Sequence, residues 1–318
     1  MTPFAGLTGF GGGPTGLTLA SGAAASIAWG GNRGVFMGGW TNIEVNTIDY
    51  IDIKTTGNAT DFGDTLNVIE GPACCSNGSR GIGMAGVEQA TRFDTIQYIT
   101  FATTGNSTDF GDCSAQKNAC GALSNGTRGV VGGGDAGSNF DVIEYVTIAT
   151  TGNTTDFGDL TQARERVGGL GGETRGLFCG GNAGGTRVNT IDYITVATTG
   201  NATDFGDLTE VLALTGCASD ATRGVIGGGR ESGGGAVNVI QYVTVATTGN
   251  ATDFGDLLSD NRSNGCAGNA SRVVWGGGYN GSSQLNTIQY VTTQTTGNST
   301  DFGDLTNSRR SAGGSSGD

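Results

Sequence analysis

The sequence predicts an all-β protein: a ring of six small sheets, each of about four strands. Three observations predict it. One stretch, Asn189-Thr-Ile-Asp-Tyr-Ile-Thr-Val-Ala-Thr-Thr-Gly-Asn-Ala-Thr-Asp-Phe-Gly-Asp207, occurs six times with small changes. Its Phe falls at Phe62, Phe110, Phe157, Phe205, Phe254 and Phe302, and its Tyr at Tyr50, Tyr98, Tyr145, Tyr193, Tyr242 and Tyr290. Both series step by 48, 47, 48, 49 and 48 residues, a fixed period that marks a repeat architecture. Each unit also carries strand chemistry with apolar residues on both faces, and no segment sustains a helical period. One such sheet cannot bury both faces alone. Six side by side around an axis can, and a closed ring limits exposed edges.

The elements follow in order through the unit from Leu160 to Asp207. It begins with Leu160-Thr-Gln-Ala-Arg-Glu-Arg-Val-Gly-Gly-Leu-Gly-Gly172, where the dominant small residues suit a strand crowded near an axis. Next comes Arg175-Gly-Leu-Phe-Cys-Gly-Gly181, a short apolar run closed by glycines, and then a variable Gly/Asn/Ser segment with loop chemistry. Thr190-Ile-Asp-Tyr-Ile-Thr-Val196 is β-branched and aromatic and reads as a strand. Ile191 and Tyr193 share one face, and Ile194 and Val196 part of the other. Thr199-Gly-Asn201 is a turn, and a last short strand centres on Phe205.

The ends depart from the period. Residues 1–20 are expected to form an N-terminal extension, with Phe4 and Phe10 as possible anchors to a partner. The ring is expected over residues 21–318, with repeats ending near Asp64, Asp112, Asp159, Asp207, Asp256 and Asp304. After Asp304 the chain matches the first strand of a seventh repeat and stops, whereas residues 22–27 fit that strand poorly. The C-terminal segment is therefore expected to pair with the strands of repeat 1 and clasp the ring.

Composition narrows the function classes. The net charge is −13, from 29 acidic against 16 basic residues, which disfavours nucleic acid and anionic membrane surfaces as partners. No apolar run approaches the length of a membrane span. There is no histidine, which removes Ser-His and Cys-His nucleophiles and the usual zinc ligands. Cys74, Cys217 and Cys266 share one repeat position with Gly169 and Ala122, so these cysteines read as small buried residues rather than as disulfides or metal ligands.

The residues resemble kelch repeats. In that family a strand ends in Gly-Gly, a Tyr follows in the next strand, and a further aromatic, usually Trp, comes after it. An Arg then opens the next repeat. Here Gly180-Gly181 precedes Tyr193 and Phe205, and Arg164, Arg309 and Lys117 stand where the opening Arg falls. Phe replaces Trp in every copy. The resemblance covers nearly the whole chain beyond residue 20 and implies a six-bladed β-propeller of four-stranded blades. The wording of the repeat also resembles kelch-like proteins of marine tailed phages, which implies a virion or tail-fibre component.

Several residue sets are candidates for chemistry. Arg33, Arg80, Arg128, Arg175, Arg223 and Arg272 recur in each unit. They read either as a guanidinium ring for anions or, as a charge repeated in every blade suggests, as structural partners of an Asp or a carbonyl. The acid pairs Asp61/Asp64, Asp109/Asp112, Asp156/Asp159, Asp204/Asp207, Asp253/Asp256 and Asp301/Asp304 leave calcium open as the one cofactor, against a plain turn role. Six identical pairs argue against a single glycosidase centre. The Asn-Ala/Ser/Thr-Thr sequons read as turn chemistry. The binding candidates are the symmetry-breaking loop residues Trp40, Arg92, Phe93, Phe140, Arg187, Arg230, Tyr279 and Asn280. The expectation is a non-enzymatic virion protein on an extracellular particle. It would dock to other virion proteins or to itself, and its loops would touch host-surface glycans. A bacterial carbohydrate- or protein-binding propeller is the alternative, and a polysaccharide-acting enzyme the third reading.

Overall fold

The computed structural model describes residues 31–317. The N-terminal extension, with Phe4 and Phe10, and residues 22–27 lie outside the described residues.

The chain lays down one antiparallel sheet after another around an axis. Blade 1 holds β1 (Arg33–Met37), β2 (Thr47–Asp52) and β3 (Thr60–Asp64). Blade 2 holds β4 (Ala73–Ser76), β5 (Arg80–Glu88), β6 (Thr91–Thr100) and β7 (Thr108–Lys117). Blade 3 holds β8 (Gly121–Ser124), β9 (Arg128–Gly132), β10 (Val142–Thr147) and β11 (Thr155–Asp159). Blade 4 begins with β12 (Gly168–Gly171) and β13 (Arg175–Cys179), carries a small hairpin of β14 (Asn182–Ala183) and β15 (Thr186–Arg187), and ends with β16 (Thr190–Thr195) and β17 (Thr203–Asp207). Blade 5 holds β18 (Gly216–Ser219), β19 (Arg223–Gly227), β20 (Val237–Thr244) and β21 (Thr252–Asn261). Blade 6 holds β22 (Gly265–Gly268), β23 (Arg272–Gly276), β24 (Thr287–Thr292) and β25 (Thr300–Asp304). The last strand, β26 (Gly313–Gly317), returns to blade 1 and pairs with β1, from Arg33 opposite Gly317 to Met37 opposite Gly313. The fold is a six-bladed β-propeller closed by its C-terminal strand.

The innermost strands β26, β4, β8, β12, β18 and β22 pack against one another around the axis. Their small residues follow from that crowding. A Cβ on Gly169 would meet the backbone of Ala122, and one on Gly314 the backbone of Cys266.

Each junction between blades has its own apolar core. Between blades 4 and 5, Ile191, Phe205 and Leu208 meet Ile226, Val243 and Val245. Between blades 3 and 4, Ile143 and Phe157 meet Ile194 and Val196. Ile191 and Ile194 on one strand thus serve opposite neighbours, which is why the third strand is apolar on both faces. Within every blade the repeated Tyr and Phe rings meet edge to face, with centroids 5.8–6.1 Å apart. Such pairs contribute about 0.5–1.5 kcal/mol beyond burial.

The rest of the repeat ties blades together at the rim. The Thr-Thr-Gly-Asn turn of one blade lies along the outer strand of the preceding blade. Gly249 N–H donates to the Phe205 carbonyl at 2.8 Å, Ala251 N–H to Asp207 at 2.7 Å, and Asp207 N–H to Asn250 Oδ1 at 3.1 Å. The equivalent Gly57, Ala59 and Asn58 contacts join blade 1 to Phe302 and Asp304 of blade 6, so this rim is also closed. The sequon asparagine therefore has a structural partner. A β-bulge at Phe205 and Gly206 creates the seat for the turn: Ile191 faces Gly206, whereas Asp192 faces Asp204. Gly206 has φ +144°, and a Cβ there would meet the Gly249 carbonyl at 2.5 Å. Gly206→Ala is therefore expected to cost about 1–3 kcal/mol. Gly57→Ala, with nothing within 4 Å of its Cβ, should be near neutral. Denaturant unfolding of the two variants checks this, and equal stabilities would refute the strap.

Candidate functional site

Fifteen of the 16 basic residues of the chain sort into three groups, and Lys54 lies exposed in the turn after β2. The first is the repeated set. Arg33, Arg80, Arg128, Arg175, Arg223 and Arg272 each lie over the Tyr of their own blade, 4.3–4.9 Å from the ring centroid. Five of them also donate to a carbonyl of the next blade, as Arg128 does to Val196 at 3.1 Å and Arg272 to Ile53 at 2.9 Å. Their partners are aromatic faces and carbonyls rather than the repeated aspartates.

The second group is buried. Lys117 meets Glu144 at 2.8 Å, Arg164 meets Asp192 at 3.0 Å and Arg309 meets Asp49 at 3.2 Å, with all six side chains no more than 1% exposed. Lys117 ends the outer strand of its blade, Arg164 and Arg309 stand in the connections leaving theirs, and each acid lies on the third strand of the next blade, so the pairs latch neighbours together.

The third group breaks the symmetry. Six of the eight residues expected as binding candidates fall between the second and third strands of their blades and the other two, Arg92 and Phe93, at the start of the third strand β6, all on the face where the chain also passes from each outer strand to the next inner strand. Backbone bridges join the two kinds of connection, as at Trp40 with Arg310, Ala213 with Arg230 and Arg262 with Tyr279. The candidates then separate. Arg92 pairs with Asp135 at 2.7 Å, Phe93 lies half-buried on β6, and Phe140 covers Lys117 with the cation 5.5 Å from its centroid. Asn280 is engaged in its own turn, accepting from the N–H groups of Ser282 and Ser283.

Trp40, Arg187, Arg230 and Tyr279 instead join residues that the sequence did not mark. The loop after Arg230 gathers three guanidinium groups, from blade 4, from blade 5 and from the connection between blades 5 and 6. Arg187 donates to the Ser232 carbonyl at 3.1 Å, while Arg230 and Arg262 both donate to Gly234, at 3.2 and 3.1 Å. Tyr279 continues the arc, with Arg262 5.0 Å and Arg310 5.7 Å from its centroid. Arg310 also lies 4.2 Å over Trp40 and approaches Glu70 at 3.5 Å. These side chains are all half-buried. Burial holds the Arg187 guanidinium below the usual arginine range, and Arg230 and Arg166 push it the same way against Glu231. Arg262 is likewise lowered by burial and by Arg230, with Arg310 and Arg187 adding to it. A guanidinium depressed by its own kind favours an incoming anion.

The arc overlooks the axial cavity, a space of about 340 Å³ bordered by Arg166, Thr215, Asn118 and Asn264. Five backbone hydrogen bonds run around its mouth: Ser311 to Ser263, Ser263 to Leu214, Leu214 to Arg166, Arg166 to Ala119, and Gly71 to Ser311. Every residue at this position has φ between +55° and +68°. Below it Cys74, Cys217 and Cys266 narrow the channel together with Ala122, Gly169 and Gly314. All seven cysteines are unpaired, and burial pushes the Cys75 and Cys120 thiols up to about 12. No group of three or more Cys, Asp or Glu able to hold a metal occurs among the described residues.

Arg166, Arg262, Arg310 and Asn264 escaped the sequence reading because they sit in connections of no conspicuous composition. Their signal is departure from the repeat. The position ten residues after each Phe reads Pro72, Cys120, Val167, Thr215, Asn264 and Ala312, and the one before it Gly71, Ala119, Arg166, Leu214, Ser263 and Ser311.

Fold and geometry together define the class: a six-bladed β-propeller whose six-fold framework carries one asymmetric, arginine- and aromatic-rich face. No protein-family model matches the chain, and no curated protein matches it.

Proposed function

We propose that this chain is a non-enzymatic adhesion module of a phage particle, docking to other virion proteins and holding a host-surface glycan at its arginine-rich face. One observation carries the binding reading. In a chain of net charge −13, Arg187, Arg230, Arg262 and Arg310 converge on a single face, interleaved with Tyr279 and Trp40. Arginine forks suit carboxylates, and flat aromatic rings suit the C–H faces of sugars. A rigid framework with variable connections on one side is how scaffolds carry binding sites. The kelch-like spacing and the phage-like wording of the repeat support the virion placement. The outer acid pairs lie in identical rim positions, and the latch carboxylates Asp49, Glu144 and Asp192 each have a buried cation, which favours binding over hydrolysis.

An array of glycans bearing uronic and sialic acids tests the binding reading. Binding above background is expected, falling roughly tenfold or more in Arg230→Gln/Arg262→Gln, with neutral glycans and duplex DNA not retained. An array with no signal would remove glycan adhesion, and a virion proteome without this chain would remove the particle.

A further inference from the structure

The axial cavity is bordered by an amide that nothing among the described residues satisfies. Asn264 is 8% exposed and borders the cavity, and neither its Nδ2 nor its Oδ1 has a hydrogen-bond partner among the described residues. Across the mouth, Asn118 Oδ1 is buried and equally unpartnered. A buried amide without partners destabilises a fold unless a ligand or water completes it. The repeat supplies small or apolar side chains at four of the five positions equivalent to Asn264, so the amide is a local departure rather than part of the framework. Arg166 departs in the same way. It holds a long cationic side chain at φ +58°, where the other units carry Gly71, Ala119, Leu214, Ser263 and Ser311 in the same backbone conformation, one disfavoured for any residue with a Cβ. Its contact with Glu165 runs through Nε at 3.6 Å, and Glu165 Oε1 already accepts from Asn182 at 2.9 Å. The Nη fork of Arg166 is thus left for a carboxylate. Glu70, the acid on the cavity border, is offset by Arg310 at 3.5 Å.

We propose that the axial cavity is the seat of one acidic sugar residue, a pyranose bearing a carboxylate, with its hydroxyls on Asn264 and Asn118 and its carboxylate on Arg166. The volume of about 340 Å³ falls within the roughly 300–1,000 Å³ of small-molecule pockets. An amide that both donates and accepts matches vicinal hydroxyls, and the arginine supplies the charge that selects the acid. The narrow waist at Cys217, Cys266 and Cys74 stops the ring from passing through. The arc of Arg230 and Arg262 then lies beside the entrance, where the remainder of a glycan would run. The choice of sugar deepens the adhesion reading and rests on it.

The test is calorimetric titration of the full chain with glucuronic, galacturonic and N-acetylneuraminic acids, and with glucose and galactose as neutral controls. One site per chain is expected for at least one acid and none for the neutral sugars. Asn264→Ala and Arg166→Gly should each weaken binding roughly tenfold or more. Both variants should fold at least as well as the parent, because one removes an unpartnered amide and the other relieves a positive φ. Lys54→Gln, in the exposed turn after β2, should leave the monosaccharide affinity unchanged. No heat with any acid at roughly 10 mM, equal binding of neutral sugars, or indifference to Asn264→Ala would each overturn the proposal and leave the cavity holding water alone. Glycan retention on the array together with indifference to Asn264→Ala would sink the cavity site while sparing the adhesion reading. Monosaccharide binding without glycan retention would do the reverse.

Discussion

Deleting residues 313–318 is expected to lower stability by on the order of 5 kcal/mol or more and to broaden the melting transition. β26 is the innermost strand of blade 1, laid against β1 over five residue pairs. Its loss leaves the β1 backbone facing the axis unpaired, and each stranded buried group costs about 1–3 kcal/mol. The damage also reaches both neighbours. The Ser316 hydroxyl donates to the Gly268 carbonyl of blade 6, and Ser76 of blade 2 donates to the Ser316 carbonyl at 2.6 Å. The outer strap from Asn58 to Asp304 and the Arg309–Asp49 pair remain, so the ring should loosen along its inner circle before it opens. In the intact chain, amide exchange over 313–317 should be as slow as over 168–171, the matching strand of blade 4. A truncated chain that melts as sharply and as high as the parent would show that closure does not depend on β26.

Much of this architecture was legible in the residues themselves. The Tyr and Phe series gave the blade count, the two apolar faces of Thr190–Thr195 required a neighbour on each side, and the orphan first strand after Asp304 had blade 1 as its partner. These features are local or periodic, and a repeat states them six times over. The candidate site was legible in part. Trp40, Arg187, Arg230 and Tyr279 stood out because they break the repeat in segments of plain loop chemistry. Arg166, Arg262, Arg310 and Asn264 come from the other set of connections, and only the curvature of the ring brings the two sets together. Spacing along the chain carries no trace of the Ser232 and Gly234 carbonyls that gather arginines from blade 4, blade 5 and the connection to blade 6. The repeated arginines show the converse. Their regularity was visible, but the stacking on Tyr that explains it needed coordinates.

Arg164→Leu is expected to destabilise the protein by about 3–5 kcal/mol, and adding Asp192→Gln should restore all of that loss. The basis is a pattern internal to the ring. The residue seven places after each repeated Phe is Ile69, Lys117, Arg164, Leu212, Asn261 and Arg309. The buried residue it faces in the following blade is Gln97, Glu144, Asp192, Gln241, Gln289 and Asp49, taken in the same order. Wherever the first is a cation the second is an acid, and wherever the first is neutral the second is glutamine. The docking turn is conserved through the change. Thr161 donates its N–H and hydroxyl to Asp192 at 3.1 and 2.6 Å, as Thr209 does to Gln241 at 2.8 and 3.1 Å. The double variant therefore copies the Leu212–Gln241 junction of this same protein. The single variant leaves a carboxylate, with no solvent exposure, facing a leucine. The native pair is itself costly to bury: Arg164 Nε and Nη1 have no partners among the described residues, and burial depresses the guanidinium while Asp192 works against that depression. The double variant should accordingly equal or exceed the parent in stability, since apolar replacement of a buried pair is often neutral or stabilising by about 1–4 kcal/mol. Chemical denaturation of parent, single and double variants reads the result directly. A double variant no more stable than Arg164→Leu alone would mean that the charge matching between blades is incidental.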